Sequence, residues 1–162
     1  MLTKITKYLK RDGGTFMADI RLVRVDFRLM HGQVIGLGDN SFAALITRGL
    51  KEISRLGIKL GGELETFYGL SGLGDLIVTC LSEHSRNRKA GKLIGQGKTL
   101  EETKKEVGMV IESIDNIDVA YQLGKINNIE MPIVNAVYEV LYNKLDPQEA
   151  VKNLMTRNKK ME

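Results

Sequence analysis

The sequence has no tryptophan, one cysteine, two histidines and two prolines in 162 residues, and the scarcity of cysteine and histidine closes whole classes of function. A single cysteine, Cys80, can form no internal disulfide framework and suits a reducing compartment such as the cytoplasm. Its neighbours Ile77, Val78, Thr79 and Leu81 mark it as a buried structural thiol. His31, His84 and one thiol are too few for a Cys/His metal centre, so no metal is expected. The histidines, serines and aspartates are too scattered to argue a Ser-His-Asp triad. No apolar run approaches the roughly 20 residues needed to cross a bilayer, so no membrane span is expected.

Charge of one sign is scarce everywhere except at the start. Residues 1–30 carry seven basic and three acidic side chains, and the remainder carries seventeen of each. The net charge of +4 therefore belongs to the first thirty residues. A neutral body poor in aromatics argues against nucleic acid as a partner.

Two phosphate-binding signatures are missing as well. Gly-x-Gly-x-x-Gly occurs nowhere, and no βαβ pattern is present to hold it. The run Gly91-Lys92-Leu93-Ile94-Gly95-Gln96-Gly97-Lys98-Thr99 approaches a P-loop but carries lysine at position 92, where the pattern needs glycine. It also follows a polar helical segment rather than a buried strand. Gly97 reads better as the end of one helix and Thr99 as the cap of the next.

What is present is helical punctuation. Residues 1–11 form a short basic amphipathic pattern, and residues 23–29 alternate as a strand does. From about residue 38 the character changes. Asp39 or Asn40 caps a helix with Phe42, Leu45, Ile46, Gly49, Ile53 and Leu56 on one face, stopped at Gly57. Thr99 and Glu102 make a capping box, and Gly108 ends that helix. Ile111, Ile114, Ile117 and Tyr121 form a stripe toward Gly124, and Ile133, Val137, Val140 and Leu141 another after Pro132. Asp146-Pro147-Gln148-Glu149 starts the last helix, whose buried face is Ala150, Val151, Leu154 and Met155. Six or seven helices with short links predict an all-α multi-helix bundle.

One region carries chemistry. Gly69, Gly72 and Gly74 allow tight turns and close approach of backbone to a ligand. If a helix starts near Gly74, Asp75 and Thr79 share a face and place a carboxylate beside a hydroxyl. Ser85, Arg86 and Asn87 read as a second helix start, where backbone N–H groups, a hydroxyl and a guanidinium suit a phosphate. The competing reading is that Asp75 and Ser85 are helix caps and the arginines a solvated face.

A resemblance weighs on that choice. Gly38-Asp39-Asn40, Leu45-Ile46-Thr47-Arg48-Gly49, the run 69–80, Ser85-Arg86-Asn87-Arg88, Met109-Val110-Ile111-Glu112, Met131-Pro132-Ile133 and Asp146-Pro147-Gln148-Glu149-Ala150-Val151 stand in the order and spacing of the substrate domain of bacterial-type NAD(P)-dependent glycerol-3-phosphate dehydrogenase. The match spans roughly residues 34–157. It implies an all-α bundle like the C-terminal domain of the 6-phosphogluconate and glycerol-3-phosphate dehydrogenases. The implied activity is reduction of dihydroxyacetone phosphate to sn-glycerol 3-phosphate with NAD or NADP as cofactor, for phospholipid synthesis. The family also implies a cytoplasmic homodimer.

Carried over by position, Asp75 orients the catalytic lysine and the substrate oxygen, and Thr79, Ser85, Arg86 and Asn87 bind the substrate. Arg86, Val110 and Glu112 contact the cofactor. Ser113 stands where the family usually has glycine. The family's Rossmann domain is not seen, and its catalytic lysine, in a Leu-Lys-Asn segment, falls by spacing on Leu22. The expected organisation is a non-family segment 1–33 followed by a helical substrate domain 34–162, inactive as an isolated chain. The alternative is a non-catalytic module for dimerisation or small-phosphate binding.

Overall fold

The computed structural model describes residues 39–82 and 84–157. The basic N-terminal pattern, the alternating segment 23–29, Leu22, His31 and the boundary at residue 34 all lie outside the described residues. Among the described residues there is no strand, and eight α-helices and one π-helical turn succeed one another: α1 (Asp39–Lys59), α2 (Leu64–Tyr68), the π turn (Leu70–Gly74), α3 (Asp75–Leu81), α4 (Arg86–Gly95), α5 (Leu100–Val107), α6 (Glu112–Ile126), α7 (Pro132–Tyr142) and α8 (Pro147–Thr156). The all-α expectation stands, with α2 as a helix that the punctuation had not separated.

The bundle is organised around α7, which packs against α1, α6 and α8. Its Ile133, Val134, Val137 and Leu141 are buried, as are Leu45, Leu50, Ile53 and Leu56 of α1 and Ile114, Ile117, Ala120 and Leu123 of α6. Most of these positions lie three or four residues apart, so each helix buries one stripe and the stripes share one core. Cys80 belongs to that core.

Several helix ends follow their side-chain chemistry. Thr99 accepts from the Glu102 N–H while the Glu102 carboxylate accepts from the Thr99 N–H, a complete capping box. The Thr99 N–H, and the Thr99 hydroxyl that also donates to the carboxylate, hold the Glu102 carboxyl below its ordinary range. Gly97 ends α4 at φ +89°, with its N–H on the Ile94 carbonyl and the Lys98 N–H on that of Leu93. That is a Schellman ending, so the P-loop look-alike is a C-cap followed by an N-cap. Asp146 caps α8 by accepting from the N–H groups of Gln148 and Glu149. Gly108 closes α5 at φ +70°.

Gly57 departs from expectation. It does not stop α1, which runs on to Lys59 and is followed by Gly61 at φ +96°. Gly57 is a contact residue instead: a Cβ there would lie 1.9 Å from Cζ of Phe67, so its absence lets the buried Phe67 ring lie against α1. Gly124 likewise lies inside α6, against the Met131 side chain.

Candidate functional site

The glycine-rich run is built outward from Phe67. A Cβ on Gly72 would stand 2.1 Å from the Phe67 carbonyl oxygen, so only glycine lets the chain pass there. The turn is wider than an α-helix. Gly74 donates to the Gly69 carbonyl across five residues, and Asp75 donates through its N–H to Leu70 and Gly72. Leu70, on this turn, is 91% exposed. Asp75 then opens α3 in ordinary helical conformation, and Thr79 follows one turn on. The expected helix start near Gly74 is thus a π turn leading directly into α3.

Four residues beyond α3, Ser85 caps α4. Its hydroxyl accepts from the Arg88 N–H at 3.5 Å, which bears out the capping reading of Ser85. Arg86 is the first helical residue and Asn87 the second. The first turn of α4 therefore presents Arg86 and Asn87 at the positive end of the helix dipole. His84, just before it, is an exposed turn residue. No group of three or more His, Cys, Asp or Glu side chains that could hold a metal exists among the described residues.

The Arg86 guanidinium reaches across 24 positions of sequence and donates to the backbone carbonyl of Val110 at 3.0 Å. Two of the residues marked for the cofactor are thereby brought together. Val110 lies on a short connection between α5 and α6, where Gly108, Met109 and Val110 are exposed between buried Val107 and Ile111. The third, Glu112, is the first residue of α6. Ser113, next along, is 2% exposed, and its hydroxyl has no hydrogen-bond partner among the described residues. It sits in an ordinary first helical turn, so serine in place of glycine leaves α6 intact.

A second cation of α4 holds the end of α5 that leads into this connection. Lys89 donates to the Glu106 carbonyl at 3.1 Å, and the Lys98 ammonium pairs with the Glu106 carboxylate. A cation on a carbonyl in the last turn of α5 suits the negative end of that helix.

The buried carboxylate of Glu52 had not been singled out. Glu52 is 1% exposed, and its oxygens accept from the N–H groups of Ile133 (2.9 and 3.1 Å) and Val134 (3.3 Å) at the start of α7. Burial raises its pKa to about 7, against the pull of those two backbone bonds and of the Arg55 and Arg157 charges. The sequence does hold a signal. Glu52 stands seven residues after Leu45 and four before Leu56, within the apolar stripe of α1.

The model for the NAD-dependent glycerol-3-phosphate dehydrogenase C-terminus matches residues 29–152. A glycerol-3-phosphate dehydrogenase [NAD(P)+] of Carboxydothermus hydrogenoformans is 62% identical over 128 residues, covering 79% of this chain and 38% of that protein. One from Thermoanaerobacter sp. (strain X514) is 57% identical over the same length, covering 39% of that protein. The crystal structure of a glycerol-3-phosphate dehydrogenase from Coxiella burnetii superposes with a TM-score of 0.80 at 38% identity, over 88% of this chain and 44% of that one. The chain thus spans about two fifths of the length of the curated relatives it matches.

Proposed function

The chain belongs to the family of NAD-dependent glycerol-3-phosphate dehydrogenases, and from that premise we propose that its 162 residues form the substrate-facing half of an enzyme interconverting dihydroxyacetone phosphate and sn-glycerol 3-phosphate. The observation that carries the reading is the Arg86–Val110 bond, which draws a guanidinium at a helix N-terminus onto the connection ending at Glu112. A doubly charged phosphate is stabilised by such a terminus and by the fork of a guanidinium. In this reading Arg86 and Asn87 hold the phosphate, with Ser85 keeping the first turn of α4 in shape. Asp75 and Thr79, four residues apart on α3, serve the polyol end, and Asp75 orients the proton donor. Arg86, Val110 and Glu112 border the cofactor.

A reduced nicotinamide, NADH or NADPH, would supply the hydride when bound, leaving NAD or NADP. The chain's residues fit only its periphery, because neither a Gly-x-Gly-x-x-Gly fingerprint nor a Leu-Lys-Asn segment occurs in the 162 residues. Ketone reduction needs a bound hydride donor and a group to protonate the oxygen. These 162 residues alone therefore bind the phosphorylated polyol without turning it over. The helical domain is taken as residues 34–162, acting in the cytoplasm to supply phospholipid synthesis.

The test pairs two assays on the purified chain. Addition of sn-glycerol 3-phosphate is expected to raise the melting temperature, and that rise is lost in Arg86→Ala. Dihydroxyacetone phosphate with NADH is expected to give no turnover. Robust NADH oxidation sinks the claim of inactivity, and absence of any ligand response sinks the substrate reading. A second reading, a non-catalytic homodimer module, is favoured by the exposed Leu70, Ile77 and Val78 around α3. A strictly monomeric chain by light scattering removes it.

A further inference from the structure

Arg86 and Lys89 lie three apart on α4, and each spends a donor on a backbone carbonyl, Arg86 on Val110 in the α5–α6 connection and Lys89 on Glu106 in the last turn of α5. The two carbonyls flank Gly108 at φ +70°. Between them Met109 and Val110 are 61% and 63% exposed, so little packing fixes this strap beyond its buried ends Val107 and Ile111. The Val110 carbonyl takes one of the five N–H donors of Arg86 and leaves the rest of the fork oriented by that bond. Whatever fixes the strap therefore aims the guanidinium.

We infer that Lys89 is a positioning residue for Arg86: its bond to the Glu106 carbonyl sets the register of residues 106–110, and the Val110 carbonyl in turn holds the Arg86 guanidinium beside the start of α4. Lys98, paired with the Glu106 carboxylate, fastens the same end of α5 from the link between α4 and α5. The purpose of this arrangement rests on the phosphate reading of α4. Its geometry does not. An arginine already oriented loses less rotamer freedom when it engages an anion, so the strap converts part of that entropy cost into affinity. A cation on a helix C-terminal carbonyl is a modest contact, so the expected loss on removing it is about threefold in affinity.

The test uses the whole 162-residue chain as wild type, Lys89→Met, Lys89→Arg and Lys92→Met. Lys92→Met removes the same charge about one turn further along α4 and controls for simple loss of charge. Arginine side-chain N–H resonances are followed by NMR without ligand, and affinity for sn-glycerol 3-phosphate by calorimetry. The inference expects the Arg86 signals to be distinct in wild type and Lys89→Arg, and averaged toward a freely rotating arginine in Lys89→Met. It expects affinity to fall about threefold in Lys89→Met, to recover in Lys89→Arg, and to change less in Lys92→Met. Unchanged Arg86 signals in Lys89→Met overturn it, as does an equal loss of affinity in all three variants. If wild type binds no glycerol 3-phosphate while the Arg86 signals still respond to Lys89→Met, the substrate reading fails and the positioning role stands.

Discussion

Replacing Glu52 with glutamine removes one ionisation from the interior while keeping an oxygen for the Ile133 and Val134 N–H groups. The carboxyl titrates near 4.5 when solvated and at about 7 in the fold, because burial outweighs the two backbone bonds and the Arg55 and Arg157 charges. The folded state therefore binds more protons than the unfolded state between those values, and stability falls as pH rises through that window. Below about pH 4.5 both states are protonated and Glu52 exacts no ionisation cost. Above about pH 7 the cost is complete, and a displacement of this size corresponds to about 3 kcal/mol. Urea unfolding followed by far-UV circular dichroism, on wild type and Glu52→Gln across this range, isolates the effect because every other carboxylate is common to both. The two proteins are expected to differ by less than about 1 kcal/mol near pH 4. The glutamine variant is expected to gain on wild type with rising pH, by about 2–3 kcal/mol near pH 8. A difference independent of pH, or one that favours wild type as pH rises, refutes the reasoning.

Other outcomes follow from the same geometry. Gly72→Ala drives a Cβ into the Phe67 carbonyl, so the π turn must rearrange; glycerol 3-phosphate affinity is expected to fall more than the melting temperature alone would explain. Gly57→Ala meets the Phe67 ring and is expected to cost about 1–3 kcal/mol in urea unfolding. Asp146→Ala leaves two N–H groups of α8 uncapped and is expected to cost about 1 kcal/mol, with ligand affinity unchanged.

The elements whose ends are written in side-chain chemistry were legible in the sequence. Thr99 with Glu102, Asp146 before Pro147, and Ser85 before Arg86 each cap the helix their pattern announces. Gly97 and Gly108 end helices because both adopt positive φ, a conformation glycine adopts without strain. Gly57 and Gly124 carry the same letter for a different reason, close packing within a helix, and nothing local distinguishes the two uses. The π turn at 70–74 was hidden because it depends on Phe67 packing against both Gly57 and Gly72, contacts that join separate stretches of chain. In the site, Arg86 and Val110 were each marked from the family pattern, but only the fold brings the guanidinium onto the carbonyl. Lys89 carries no local signal in the sequence, and its bond to Glu106 emerges only when α5 docks on α4.

The claim that the start of α4 holds a phosphorylated polyol is tested most directly by mapping backbone amide shifts of the labelled chain during titration with sn-glycerol 3-phosphate. The account expects saturable changes centred on Arg86 and Asn87, extending to Val110 and Asp75, and abolished in Arg86→Ala. Saturable binding that leaves those amides unmoved, or that survives unchanged in Arg86→Ala, contradicts it.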